Sequence, residues 1–269
     1  IAEIKQSGHN FSTVDINYSG PTWTFSNEIN AFVPPLGSIK GVGAAAVAEI
    51  LQNRPYSRLD DLFFDDDGKW KHSKFNKSCL TSLCKIEAFG SLFEMQQGVV
   101  KNHNQLLQIM TDDKNYETLK KGRFGITQTA YKRALKKGES PPPVLDRFVD
   151  HYLNVDDWPR NEKIQNQFDI MSTVENDLLF PPSLMQRINE KDVPSALQIN
   201  SGARGIGWFC ITQVFKKKSK NNKTFYRLKI VDNNSNFAWL RVWGEMYTEP
   251  IPYTLWLADI KNDADWGMS

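Results

Sequence analysis

The sequence predicts an α+β chain of several domains, helical through most of its length and β at its end. Two observations carry this. Between Leu36 and Leu51 a glycine-punctuated turn runs into an alanine-rich segment of strong helix formers, with Pro55 close behind. From Gly205 onward, Ile206 to Phe215, Thr224 to Asp232 and Phe237 to Trp243 are β-rich runs separated by turn residues. Size and composition agree. The 269 residues, 40% hydrophobic and 24% charged, suffice for two or three small domains with packed cores.

Taken in order, residues 1–35 read as an extended lead-in broken at Gly8, Gly20, Pro21 and Pro34-Pro35. Residues 36–95 read as a helical domain, with a second helix over Asn76 to Ala88 that puts Leu80, Leu83, Cys84 and Ile86 near one face. Residues 96–200 read as a helical connector. Its pieces lie at Asn104 to Met110, Gln128 to Lys137, Leu145 to Leu153 and within 162–192, interrupted by the stiff run Pro141-Pro142-Pro143 and by Pro181-Pro182. Residues 201–269 read as a β module. In it Lys216 to Lys223 is a long polar loop and Asp232 to Asn236 a hairpin connection.

The stretch from Leu36 to Leu51 fits a helix-hairpin-helix: an apolar residue, a spacer, Gly-apolar-Gly, then a helix of small residues. Gly41 and Gly43 allow a tight turn and close approach of backbone to a ligand. Val42 plugs the hairpin into the core. The first N–H groups of the following helix lack internal partners and favour an anion, with Lys40 adding charge. Between Lys69 and Ile86 stand five lysines and no acid, so Lys74 and Lys77 join Ile39, Lys40, Gly41, Val42 and Gly43 as candidates for the backbone of duplex DNA. Such contacts carry little base information. The plain alternative is a structural glycine turn with solvated lysines around it.

In the β module, alternation sorts the faces. Tyr226, Leu228 and Ile230 form one apolar set, and Ala238, Leu240 and Val242 another. Phe225, Arg227 and Lys229, with Phe237, Trp239, Arg241 and Trp243, fall on the opposite face. Aromatics interleaved with cations suit single-stranded nucleic acid, whose bases stack while its phosphates meet the cations. The loop lysines Lys216, Lys217, Lys218 and Lys220 lie where an OB-fold grips its ligand, and a C-terminal OB-fold β-barrel, complete or cut short at Ser269, is the expected architecture. The bland reading is that this face packs against another domain.

No catalytic or metal-binding constellation is expected. The acidic pairs Asp60-Asp61, Asp65 to Asp67, Asp112-Asp113 and Asp156-Asp157 read as solvated turns, and His9, His72, His103 and His151 are scattered. Cys79, Cys84 and Cys210 are too few for a disulfide framework and too poorly spaced for zinc, so reduced thiols in a cytoplasmic protein are expected. No apolar run reaches the ~18 residues of a membrane span. Because the chain begins at Ile1, it is expected to be cut from something longer.

A family resemblance follows from the order of these features. Pro34-Pro35-Leu36-Gly37-Ser38-Ile39-Lys40-Gly41-Val42-Gly43 resembles the stretch before and within the tandem helix-hairpin-helix of bacterial C-family DNA polymerases, the polymerase III alpha subunits. Tyr56 to Phe63 is similar to that family's aromatic-then-apolar connection. Asn76 to Leu83, Ala88-Phe89 and Ser91-Leu92 resemble its second helical unit, although Ile86-Glu87 stands where the family has Ala-Gly. Asp157 to Met171 resembles the segment placed before the family's OB-fold, in a form associated with phage relatives, and residues 205–247 resemble that OB-fold.

The resemblance implies the DNA-gripping fragment of a replicative polymerase whose catalytic palm, with its magnesium, lies upstream; no cofactor is expected in this segment. Its implied partners are duplex and single-stranded DNA, the rest of the polymerase chain and a sliding clamp, though Gln165 to Phe168 is a poor clamp-binding motif. The alternatives are a freestanding helix-hairpin-helix and OB-fold accessory protein of replication or repair, and an interaction domain whose basic patches bind nothing.

Overall fold

A computed structural model of the chain describes residues 10–65, 67–95, 100–139, 144–146, 148, 154–234, 236–243, 249–263 and 267–269. Its contacts divide between Thr173 and Val174, which gives a helical unit and a β unit.

The helical unit opens with structure where the sequence suggested an extended lead-in. β1 (Thr24–Ser26) and β2 (Ala31–Val33) pair antiparallel with Phe25 opposite Phe32. Val14 and Ile16 are buried in the same core as Leu36, Ile39 and Val42. Strands of three residues are too short for alternation to reveal them. Arg54 fixes this segment by donating from its guanidinium to the carbonyls of Ile16 and Ser19.

After a single 3-10 turn at Leu36–Ser38 comes α1 (Ala44–Gln52), which buries Ala46, Val47 and Ile50 at helical spacing. α2 (Lys77–Lys85) starts at Asn76, whose side chain accepts from the Cys79 N–H, and buries Cys79, Leu80, Leu83 and Cys84. Glu49 joins the two helices. Its carboxylate accepts from the N–H groups of Ser73, Lys74 and Phe75 at 2.6–2.7 Å. Burial pushes this carboxyl up, but the three N–H groups and neighbouring His72 outweigh it and hold it below its usual range.

α3 (Gly90–Met95), α4 (His103–Thr111), α5 (Asp113–Leu119), α6 (Gly122–Lys137) and α7 (Arg160–Met171) follow among the described residues. Leu106, Ile109 and Met110 of α4 enter the core that holds Leu83 and Phe89, so this part of the expected connector packs with the first hairpin. The expected helices at 104–110 and 128–137 fall inside α4 and α6. The proline run 141–143 and most of the expected helix 145–153 lie outside the described residues.

The β unit begins with α8 (Asn176–Leu179) and α9 (Pro182–Glu190), the latter with proline at its first turn. β3 (Arg204–Lys218) pairs antiparallel with β4 (Thr224–Val231) along one edge and with β6 (Leu255–Asp263) along the other. β4 pairs with β5 (Phe237–Trp243), and the short β7 (Gly267–Met268) joins β5 to β6. The order β3-β4-β5-β7-β6 closes on itself as a curled, OB-like barrel. Phe209, Ile211, Leu228, Ile230, Leu240 and Ile260 fill it. On its outside, Phe180 and Met185 pack on Trp208 and Cys210.

One irregularity sets the faces of β3. A bulge between Ile211 and Gln213 shifts the register with β4, so Phe209 and Ile211 point inward before it and Val214 points inward after it. Gln213, Phe215 and Lys217 are thereby turned outward.

Candidate nucleic-acid interface

The turn between Leu36 and α1 presents backbone, and its anchors are hidden. Ile39 and Val42 are buried, whereas Lys40, Gly41, Gly43, Ala44 and Ala45 are exposed. Gly41 sits at φ 92°, a conformation other residues adopt only at a cost, and a Cβ there would lie 2.8 Å from Ser82 Oγ. Gly43 is different. Its backbone is extended at φ −77°, and a Cβ there would meet nothing within 4 Å, so the fold itself does not need glycine at this position. Gly43 is the N-cap of α1 and supplies no side-chain cap, which leaves the first N–H groups of the helix facing outward. Of the turn amides, Lys40 N–H is used internally, donating to Ile170 O at 3.1 Å, and Val42 N–H donates to Ile39 O. What remains is an exposed, amide-lined surface suited to an anion.

The neighbouring lysines separate into engaged and open ones. Lys77 donates to Thr111 O and Asp113 Oδ1, both at 2.6 Å, and its ammonium also faces the Tyr116 ring. It closes the junction of α4 and α5, so its expected place against phosphate is taken by an internal contact. Lys69 pairs with Asp67, and Lys71 lies over Tyr56. Lys74 is exposed and, among the described residues, has no carboxylate within salt-bridge distance.

On the barrel, the expected outer face is assembled by register. Phe225 stands opposite Trp243, Arg227 opposite Arg241, Lys229 opposite Trp239 and Val231 opposite Phe237. β3 adds a third column, with Lys217 beside Phe225, Phe215 beside Arg227 and Gln213 beside Lys229. The rings of Phe225 and Trp243 stack with centroids 4.6 Å apart, and Phe215 lies 5.9 Å from Trp239. The Arg227 guanidinium sits 4.2 Å over the Trp239 ring and the Lys229 ammonium 4.8 Å over Phe237. Phe237 and Trp243 are 61% and 52% exposed.

Arg227 and Arg241 directly opposite each other cost stability, because like charges across a strand pair repel. Neither has a carboxylate partner among the described residues. A phosphate between them would remove that repulsion.

The polar loop is shorter than its composition implies. Lys216, Lys217 and Lys218 belong to β3, and only Ser219 to Lys223 turn, closed by Ser219 N–H on Lys223 O at 2.8 Å. Alternation separates the lysines: Lys217 shares the outer face, whereas Lys216 lies over the Tyr226 ring and 3.9 Å from Glu249. Lys220 is exposed in the turn. Phe215 and Gln213 escaped the sequence reading because the bulge reverses the alternation of β3. Phe237 was placed on the right face but is also an exposed ring in its own right.

Residues 8–98 match a family model described as helix-hairpin-helix motif.

No curated protein matches the chain. The helix-hairpin-helix match begins within the lead-in, consistent with Val14 and Ile16 in that core, and it supports DNA binding. Four of the acids read as solvated turns supply structure instead. Asp60, read as part of a solvated turn, is 2% exposed, and its carboxylate accepts from the Val144 N–H at 2.9–3.0 Å. Asp61 accepts from the N–H groups of Ser57 and Arg58. Asp112 caps α5, and Asp65 accepts from the Lys69 N–H. Among the described residues no three His, Cys, Asp or Glu side chains converge as a metal site, and no helix is long and apolar enough to cross a membrane. Gln165 to Phe168, weighed as a clamp peptide, lies inside α7 with Gln167 buried.

Proposed function

We propose that this chain is the DNA-holding part of a replicative DNA polymerase of the polymerase III alpha type. The helix-hairpin-helix would hold the backbone of duplex product through the turn at Ile39, Lys40, Gly41, Val42 and Gly43, with Lys74 nearby. The barrel would hold single-stranded template on Phe225, Arg227, Lys229, Trp239, Arg241 and Trp243, flanked by Lys217 and Lys220. The observation that carries DNA binding is the uncapped, exposed start of α1, in a unit that matches the helix-hairpin-helix motif. The polymerase assignment rests on the order of motifs from Pro34 to Gly43 and from Asp157 to Tyr247. Phosphoryl transfer, and any magnesium, would belong to a palm domain elsewhere in the parent chain. An upstream reading frame without palm aspartates would sink that assignment and leave a freestanding accessory protein.

Gly43→Asp tests the duplex site. The backbone at position 43 accepts a side chain, and aspartate caps a helix slightly better than glycine, by a few tenths of a kcal/mol. The melting temperature should hold or rise. The new carboxylate would occupy the anion site, so duplex affinity should fall about tenfold, roughly 1.4 kcal/mol. Fluorescence anisotropy with duplex, single-stranded and primer–template DNA reads both this loss and its confinement to duplex-containing ligands. Unchanged duplex binding by a folded Gly43→Asp variant would refute the site.

A further inference from the structure

The amide-lined turn has a neighbour on α2. A Cβ built on Gly41 would lie 2.8 Å from Ser82 Oγ and 3.7 Å from Ser78 Oγ, so both hydroxyls border the exposed backbone of the turn. Ser78, Ser82 and Lys85 are spaced four and three residues apart and form one stripe along α2. Ser78 is exposed, and Ser82 and Lys85 are half-buried. Lys85 has no carboxylate within salt-bridge distance among the described residues, unlike Lys69 and Lys77 in the same basic stretch. The stripe spans about 10 Å of helix axis. A DNA strand carries one phosphate per about 3.4 Å of its axis, so the stripe reaches past a single phosphate.

The unit's other hairpin, between α2 and α3, is sealed. Ala88 and Phe89 are fully buried. Phe89 N–H donates to His103 Nε2 at 3.1 Å, and Ala88 O accepts from Ile16 N–H at 2.7 Å. At the start of α3, Ser91 N–H and Oγ donate to the two oxygens of Asp15 at 3.1 and 3.0 Å. The protein's own carboxylate thus occupies the place an anion would take. Glu87 stands in this turn at φ 61°, its carboxylate 2.7 Å from Lys163 Nζ.

We propose that the helical unit grips DNA on one side only: a single phosphodiester track runs from the Gly41 to Ala45 backbone along Ser78, Ser82 and Lys85 of α2. This rests on reading the first hairpin as a phosphate site. Both hydroxyls donate to phosphate oxygens beside the turn, and the Lys85 ammonium meets a further phosphate. The second hairpin contributes nothing to DNA contact, because the amides of Phe89 and Ser91 are spent on His103 and Asp15, and those of Glu87 and Ala88 on the carbonyls of Cys84 and Leu83.

The test is anisotropy of a labelled blunt duplex with the full chain across a salt series, each variant checked for folding by thermal melting. Lys85→Gln should bind three- to tenfold more weakly, with a salt slope shallower by about 0.9. Ser78→Ala combined with Ser82→Ala should bind about fivefold more weakly at unchanged slope, since no charge is lost. Gly90→Asp, placed at the start of α3 where a Cβ meets nothing within 4 Å, should bind within twofold of the parent. If Lys85 only complements the C-terminal end of α2, its replacement lowers the melting temperature and leaves the slope alone, and the track is wrong. Weakening by Gly90→Asp equal to that of Gly43→Asp would overturn one-sidedness. Should the α2 variants bind like the parent while Gly43→Asp is weak, the track fails and the first hairpin stands. If Gly43→Asp also binds like the parent, the phosphate site itself fails.

Discussion

Between pH 7 and pH 4 the helical unit is expected to lose several kcal/mol of stability, taking up close to two protons as it unfolds. The groups responsible are His72 and His103, both buried. Burial pushes His72 down to about 4. The Leu62 carbonyl, hydrogen-bonded to Nε2, and Glu49, 4.0 Å from Nδ1, oppose this, and Lys71 assists it. Burial pushes His103 down to about 3, opposed by Asp157 and assisted by Lys163. Its Nε2 accepts the Phe89 N–H, so protonation there would also break a buried hydrogen bond.

Both folded values lie below the ordinary histidine value of about 6.5, so the unfolded chain takes up protons first as pH falls. The stabilisation is complete above about pH 6.5 and is lost as pH drops toward 4 and 3. At its steepest, two protons correspond to about 2.7 kcal/mol per pH unit. Glu49, held below its usual range, acts in the same direction at the acid end. Against a total of about 5–15 kcal/mol for an ordinary domain, this is enough to unfold the unit near pH 4. Urea titrations at pH 7, 6, 5 and 4 would show the midpoint falling below pH 6.5, and His103→Gln should remove about half of that slope. A midpoint unchanged from pH 7 to pH 5 would mean that the histidines stay accessible to protons in the folded state.

The sequence made legible what is local. Gly41, Val42 and the alanine-rich start of α1 fall within ten residues of one another, and the order of residue types is enough to place an anchored turn before a helix. The faces of β4 and β5 follow from strict alternation, which survives because neither strand carries a bulge. What stayed hidden depends on distant partners. Asp60 looks like a surface acid until Val144, 84 residues away, supplies the N–H that justifies its burial. Lys77 looks free until Asp113 claims it, and the lead-in looks irregular until Asp15 caps α3. Phe215 was lost for a different reason: one bulged residue exchanges inward and outward for the rest of β3, and composition does not mark where that residue falls.

Replacing Trp239 with alanine is expected to weaken single-strand binding about 5- to 150-fold while leaving duplex binding by the helical unit unchanged. Removing a ring on which a base stacks costs about 1–3 kcal/mol. The substitution also removes the Arg227 contact at 4.2 Å, worth about 0.5–2 kcal/mol to the barrel, so the melting temperature should fall modestly as well. The two effects separate in the salt series. Stacking carries no counterions, so Trp239→Ala should shift affinity equally at every salt concentration. Arg241→Gln removes a charge, and its salt slope should become shallower by about 0.7. It also relieves the repulsion with Arg227, so this variant should melt no lower than the parent while binding worse. A residue whose removal steadies the fold and weakens the ligand is held there for the ligand. If Trp239→Ala and Arg241→Gln both bind single strand like the parent while still folded, the outer face of the barrel is a covered protein surface, and the cross-strand arginine pair is left without an explanation in DNA binding.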